Sequence, residues 1–273
     1  MRKCYIFFAF FDFDYKRSTD MARIIAFANQ KGGVGKTTSA VNLAASVGIL
    51  GKKVLMVDLD PQGNTTSGFG ISKKSLKYSS YDVLIGKCNA AESVIHTKFD
   101  NLSVIPSTIA LAGAEFDLFS MDNREYRLRD AIREIEEDYD YVFIDCPPSL
   151  GMLTINALTS AIGVIIPMQC EYYALEGLSQ LMVTISKIKK LFNAELEICG
   201  ILLTMYNGRL ILTSQVVHEL KKYYKDKLFS TTISRNVKLS EAPSFGMPVY
   251  YHDRFCKGAT EYLEVAKELI TRI

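Results

Sequence analysis

The chain has 273 residues, 48% of them hydrophobic and 23% charged, enough to bury one large core or two modest ones; one α/β domain over residues 21–273 is the simpler reading. A formal net charge of +2 makes it neither strongly basic nor strongly acidic. Its six cysteines, Cys4, Cys88, Cys146, Cys170, Cys199 and Cys256, include no C-x-x-C pair, so spacing indicates neither a disulfide framework nor a zinc or cluster site, and a reducing cytosol fits.

Residues 1–20 carry Tyr5, Phe7, Phe8, Phe10, Phe11, Phe13 and Tyr15 ahead of a second methionine, Met21. This apolar run is shorter than a membrane span, is interrupted by Asp12 and Asp14, and lacks a small-residue cleavage site. It makes a poor anchor and a poor signal. Lys16-Arg17-Ser18 can be encoded by a bacterial ribosome-binding sequence at ordinary spacing before Met21, so the expectation is a natural start at Met21 and a translated leader before it.

An apolar strand expected over residues 23–28 runs into Asn29-Gln30-Lys31-Gly32-Gly33-Val34-Gly35-Lys36-Thr37-Thr38, with helical periodicity following over 36–50. A Gly-rich turn that opens a helix presents backbone N–H groups, here those of Gly32, Gly33, Val34 and Thr38, at a positive helix end where triphosphate oxygens can sit. Gly35 permits close backbone approach, Lys36 neutralises the β and γ phosphates, and the Thr37 hydroxyl can ligate Mg²⁺. The first half of the loop departs from the usual G-x-x-x-x-G-K-[ST] pattern, because Gln30 replaces its first glycine and a second lysine, Lys31, stands inside it.

Lys-Gly-Gly-x-Gly-Lys-Thr resembles the deviant P-loop of the ParA/MinD superfamily. That resemblance implies ATP and Mg²⁺ as ligands, and a homodimer in which Lys31 reaches across to the partner's nucleotide. A solvated loop lysine is the ordinary alternative for Lys31.

A second strand, expected over 53–58, ends in Asp58-Leu59-Asp60-Pro61-Gln62-Gly63-Asn64. Acidic residues leaving a strand toward phosphates can hold Mg²⁺ or position an attacking water, while Pro61 and Gly63 turn the chain. The resemblance makes Asp60 the residue that activates the water, and Asp58 a structural group. After a strand at 102–105 and helical periodicity at 124–137, residues 140–151 form an apolar strand, 141–145, ending in Asp145-Cys146-Pro147-Pro148. Asp145 supplies the carboxylate expected on the Mg²⁺ side of a Walker B strand. Pro147-Pro148 makes a rigid turn and Gly151 a hinge. Cys146, with no partner cysteine at a matching distance, reads as a buried thiol.

Further strands are expected at 163–167, at 197–203 and near 229–233, with helices at 175–191 and 210–224. Near-continuous apolar strands alternating with helices predict a mostly parallel twisted sheet with helices on both faces, and ligands at the carboxyl ends of its strands. Charge divides unevenly: residues 113–145 hold four Arg/Lys against eleven Asp/Glu, and residues 207–238 hold seven against two, so the second region can meet a polyanion and the first repels one.

The end of the sixth strand, Thr204 to Asn207, is placed to face the base, and the Asn207 amide can read an adenine edge. Arg235-Asn236-Val237-Lys238-Leu239-Ser240-Glu241-Ala242-Pro243 closely resembles the chromosomal ParA branch, often called Soj, which implies that basic residues at Arg209 and Lys238 bind double-stranded DNA without sequence preference. Arg235, Lys221 and Lys222 join them as candidates, against the alternative that helix lysines are only a solvated face. If each protomer neutralised about three to five phosphates, log K would fall with log salt with a slope of about −3 to −4. Aromatic platforms beyond Tyr223 and Tyr224 are missing, which disfavours single-strand recognition.

Members of the MinD branch end in a basic membrane helix. Here Glu261, Glu264 and Glu268 would repel anionic lipid, and Tyr262, Val265, Leu269 and Ile273 form a stripe suited to a core, so no membrane partner is expected. The resemblance further implies slow ATP hydrolysis stimulated by a ParB-type centromere-binding partner, at a cytoplasmic, nucleoid-associated location. Two competitors are a metabolic ligase of the dethiobiotin-synthetase type, using the same loop on a small substrate, and a positioning ATPase for another cargo.

Overall fold

The computed structural model describes residues 21–273; the expected leader lies outside the described residues. Seven strands, β1 (Arg23–Phe27), β2 (Val54–Asp58), β3 (Ile95–His96), β4 (Leu102–Ile105), β5 (Tyr141–Asp145), β6 (Gly163–Gln169) and β7 (Glu197–Thr204), form one sheet in the order β3-β4-β2-β5-β1-β6-β7. All neighbours run parallel except the short β3, which pairs antiparallel with β4. The mostly parallel sheet expected from the apolar strands is therefore present.

Twelve helices connect or cover the strands: α1 (Lys36–Ile49), α2 (Asn64–Gly68), α3 (Ser80–Leu84), α4 (Ala90–Ser93), α5 (Ala114–Phe119), α6 (Arg127–Arg133), α7 (Met152–Ser160), α8 (Ala174–Leu191), α9 (Ile211–Tyr224), α10 (Val237–Glu241), α11 (Val249–His252) and α12 (Lys257–Arg272) among the described residues. Alternation along β1 sends Ile24, Ala26 and Ala28 into one core and Ile25 and Phe27 into another. The two cores lie on opposite faces because successive strand side chains point opposite ways. The first is closed by α6, α7, α8 and α9, the second by α1, α11 and α12. Both faces being covered explains why the strands read as unbroken apolar runs.

Two sequence expectations need correction. No strand forms at 229–233. Leu228 and Ser234 make only isolated bridges to Ile201 and Tyr206, and the Phe229 N–H, the Ile233 N–H and the Ile233 carbonyl bond to β7 or just past it. This segment hangs on the sheet edge without a ladder. The helix expected over 124–137 is shorter, Arg127–Arg133, followed by a 3₁₀ turn over Glu136–Asp138 that carries acidic residues into the start of β5. The C-terminal stripe behaves as expected: α12 buries Tyr262, Val265 and Leu269, and the Tyr262 hydroxyl lies 3.1 Å from Ser39 Oγ on α1. Among the described residues no helix is long and apolar enough to cross a membrane.

Gly48, in the last turn of α1, sits where the Asp100 carbonyl oxygen would lie 2.3 Å from an added Cβ. An alanine inside a helix ordinarily gains about 1 kcal/mol over glycine. Here the overlap with fixed backbone outweighs that gain, so Gly48→Ala is expected to lower stability by about 1–3 kcal/mol. A shift of the urea midpoint to higher concentration would contradict this packing.

Candidate nucleotide site and basic surface

The loop between β1 and α1 is shaped by two glycines in the left-handed region, Gly33 at φ 74° and Gly35 at φ 83°, where other residues are strained. Side chains from neighbouring strand ends then fix it. Asn29 Nδ2 donates to the Pro167 carbonyl at 2.8 Å, and Asn29 Oδ1 accepts from the Lys31 N–H. Gln169 Nε2, at the end of β6, donates to the Gly33 carbonyl at 2.8 Å, and Thr204 Oγ1, at the end of β7, donates to the Val34 carbonyl at 2.7 Å. All peptides here are trans. Anchoring those two carbonyls therefore turns the N–H groups of Val34 and Gly35 to the opposite side, the arrangement of an anion cradle. An added Cβ at Gly32 would meet nothing within 4 Å, so the loop is open there.

The two loop lysines are placed differently. Lys36 is buried at the start of α1 and its Nζ donates to the Lys31 carbonyl at 3.1 Å. Burial lowers its pKa, while Asp145, Cys146 and Asp60 act to raise it. Lys31 stands at the outer edge of the loop, ion-paired with Glu171, both side chains being substantially exposed.

Asp58 and Asp145 end adjacent parallel strands and are register partners, so their buried carboxyls are neighbours. Burial pushes Asp58 up to about 6, against hydrogen bonds from the Thr66 N–H at 2.8 Å and the Thr66 hydroxyl at 2.6 Å. Asp58 thereby holds the start of α2, the structural role expected for it. Burial, and then repulsion from Asp58, pushes Asp145 up to about 7, opposed by Thr37 and Thr65. Asp145 Oδ2 accepts from Thr65 Oγ1 at 2.8 Å, whereas Oδ1 is buried without a hydrogen-bond partner.

An orphaned carboxylate oxygen beside Thr37 fits a hard cation, since carboxylate and hydroxyl oxygens suit Mg²⁺. Among the described residues no cluster of three or more His, Cys, Asp or Glu could hold a metal alone. The donor set is thus one that phosphate oxygens complete. Asp60 is buried at the site's edge: its N–H bonds Asp58 Oδ1 at 3.3 Å, its Oδ1 accepts from the Gln62 N–H at 2.9 Å, and its carbonyl accepts from Ser107 Oγ at 2.8 Å. Cys146 is buried and its thiol pKa is raised by burial.

Beside the loop, a cavity of about 410 Å³ is lined by residues including Gly35, Thr38, Thr204, Met205, Arg235, Asn236 and Pro243. It is large enough for a base and ribose. Met205, at φ 48°, presents its sulfur to Gln169 Nε2 at 2.9 Å and to Arg235 Nη2 at 3.8 Å. The strand end from Thr204 to Asn207 was expected to face the base, and Thr204 and Met205 do line this cavity. Sequence reasoning passed over Gln169, a single residue at the end of β6 with no local pattern to mark it. Asn207 is exposed, does not line this cavity, and spends its Oδ1 on the Arg209 N–H at 3.1 Å.

The basic candidates divide into three places. Arg209 is exposed just before α9. Lys221 and Lys222 are exposed in the last turn of α9, whose other face buries Thr213, Val216 and Leu220. Arg235 lines the cavity, and Lys238 on α10 pairs with Glu241 at 2.9 Å.

A Gly-rich loop between a parallel strand and a helix, a buried lysine at that helix start and carboxylates at the neighbouring strand ends define a P-loop nucleotide-binding protein. The sequence profile of a family described as "AAA domain" matches residues 22–198. The sporulation initiation inhibitor protein Soj of Bacillus subtilis is 53% identical over 91% of this chain and 98% of its own length. The chromosome partitioning protein ParA of Myxococcus xanthus is 50% identical, over 92% of this chain and 89% of its own length. Two solved structures superpose with TM-score 0.80: cobyrinic acid a,c-diamide synthase from Mycobacterium smegmatis with bound ADP and magnesium, 37% identical, and a putative plasmid partition protein from Borrelia burgdorferi bound to AMPPNP, 29% identical. Each match covers 92% of this chain, and 94% and 100% of those chains respectively. The chain belongs to the ParA/Soj family of partitioning ATPases.

The two raised carboxyls make stability depend on pH. Each holds its proton above the unfolded value of 3.8, so the folded protein binds more protons than the unfolded chain, and stability falls as pH rises from about 4 through about 7. For nucleotide-free protein in EDTA, the thermal midpoint is expected to drop between pH 5 and pH 8, and Asp145→Asn to flatten the drop. An equally steep drop in that variant would place the proton elsewhere.

Proposed function

We propose that this ATPase is a DNA-partition switch: it binds ATP with Mg²⁺, dimerises through Lys31, binds duplex DNA without sequence preference as a dimer, and hydrolyses ATP when a ParB-type partner stimulates it. The observation that carries the reading is the separation of the two loop lysines. Lys36 is buried and committed to its own loop, whereas Lys31 is at the outer edge, where its charge is available to a second protomer once it leaves Glu171.

In this reading the N–H groups of Gly32 to Thr38 and the Lys36 ammonium hold the β and γ phosphates. Thr37 and Asp145 would hold Mg²⁺, which supplies charge neutralisation to the transferring phosphoryl group. Asp60, fixed by Gln62, Ser107 and Asp58, orients the attacking water. Much of the phosphate charge stays uncompensated until Lys31 arrives from the partner, so ATP joins the protomers. Two basic surfaces brought together multiply their phosphate contacts, which ties DNA affinity to dimerisation. Release after hydrolysis lets cargo DNA follow a gradient of ATP-bound dimers on the nucleoid.

The B. subtilis and M. xanthus relatives, matched over nearly their whole length, support partition. The likeness to a cobyrinic acid a,c-diamide synthase keeps a metabolic reading as the competitor. The deciding measurement is binding of residues 21–273 to random-sequence duplex DNA with no nucleotide, with ADP, or with ATP and Mg²⁺. Binding is expected only with ATP and Mg²⁺. Lys36→Ala should abolish nucleotide binding, Asp60→Ala should trap a DNA-bound ATP dimer with hydrolysis lowered at least 10-fold, and Arg209→Glu should keep the dimer and lose DNA. No DNA binding under any condition would favour the metabolic reading, and wild-type hydrolysis in Asp60→Ala would remove Asp60 from the chemistry.

A further inference from the structure

Lys238 already has a partner. Its Nζ lies 2.9 Å from Glu241 Oε2, one turn further along α10, and the two side chains are 43% and 42% exposed. The pairing raises the Lys238 pKa and lowers that of Glu241. A third group faces the same carboxylate oxygen: His252 Nε2, on α11, lies 3.6 Å from Glu241 Oε2. That nitrogen is buried and makes no hydrogen bond, and the imidazole is held in place by stacking on Phe245 with centroids 4.9 Å apart. The helices bearing these groups are joined through a turn that packs closely on Gly70, since an added Cβ on Gly246 would lie 2.6 Å from Gly70 Cα. The carboxylate thus sits between a cation it holds and a fixed polar nitrogen just out of hydrogen-bonding distance.

We propose that Glu241 is a built-in competitor for anions at Lys238, so that this surface accepts a polyanion and rejects a single phosphate, and that His252 receives the carboxylate when Lys238 is taken. The inference rests on the DNA-binding reading above. An isolated phosphate at Lys238 must displace Glu241 and gains little more than it removes, since exposed ion pairs are weak. A duplex differs because phosphates engaged elsewhere on the protein, as by Arg209, raise the local concentration of the next phosphate at Lys238. Once displaced, Glu241 would face the DNA backbone as a like charge. A small rotation toward His252 Nε2 gives it a hydrogen-bond partner instead. Glu241 thereby sets the valence of anion that the surface will hold.

The test measures affinity of residues 21–273 for random-sequence duplex DNA, with a non-hydrolysable ATP analogue and Mg²⁺, for the wild type, Glu241→Gln, Lys238→Met and the double variant. Inorganic phosphate is added as a competitor. Glu241→Gln should bind DNA about 2- to 5-fold more tightly. Lys238→Met should weaken binding and reduce the salt slope by about 0.9. In the Lys238→Met background the gain from Glu241→Gln should fall by at least half, because the two residues act on one another. Phosphate should displace DNA at lower concentration from Glu241→Gln than expected from its affinity relative to the wild type. An equal gain in both backgrounds would mean that removing any negative charge suffices, and would overturn the inference alone, as would the lack of any gain. Absence of DNA binding by the wild type would overturn the functional reading and this inference together.

Discussion

The site is organised by the burial of two carboxyls that the sheet forces together, with repulsion from Asp58 adding to it at Asp145. Asp58 and Asp145 end neighbouring parallel strands in register, so strand pairing alone brings their side chains into contact range. Water does not reach them, and the charge of Asp145 acts on the Lys36 ammonium, itself buried. The surroundings answer this conflict residue by residue: Thr66 quenches Asp58, Thr65 takes one oxygen of Asp145, and the other oxygen is left without a partner. An excess of negative charge with one acceptor unsatisfied is the electrostatic state that a divalent cation relieves. The start of α2 and the turn after β5 are positioned by the ends of these strands.

Coupling outward from that centre is mechanical. The loop is held by side chains from β6 and β7, and its helix α1 is backed by α12 through packing and the Ser39–Tyr262 contact. The C-terminal helix α12 fills the second core. Its apolar stripe is spent on α1, which keeps the start of that helix, and so Lys36 and Thr37, in a fixed place. Asp60 belongs to another rigid unit, held through Ser107 at the end of β4 and through α2.

Much of this was legible in the chain. The P-loop, both acidic strand ends and the parallel sheet followed from contiguous motifs whose chemistry depends on neighbouring residues. The cavity beside the loop was not legible as a cavity, because it is built from Gly35, Thr204, Met205 and Arg235, which only folding brings together. Arg235 and Lys238 were singled out for their charge. Sequence alone could not reveal that one faces the nucleotide cavity while the other is neutralised by Glu241. The expected strand at 229–233 failed for a related reason. Its apolar residues Phe229 and Ile233 are buried as predicted, but by packing into the second core, with too few edge hydrogen bonds to make a ladder.

That hanging segment gives the cavity two walls with different supports. One wall, Thr204, is part of a seven-residue parallel register with β6. The other, running into Ser234 and Arg235, is clasped to β7 and the residue beyond it chiefly by three backbone hydrogen bonds, involving Phe229, Ile233 and Tyr206. Each such bond is worth about 0.5–1.5 kcal/mol net. The same segment is also tied to α12, where Glu261 accepts from the Ser234 N–H and hydroxyl and Glu268 accepts from the Ser230 N–H. Because α12 also packs on α1, one C-terminal helix supports both this wall of the cavity and the helix that carries Lys36.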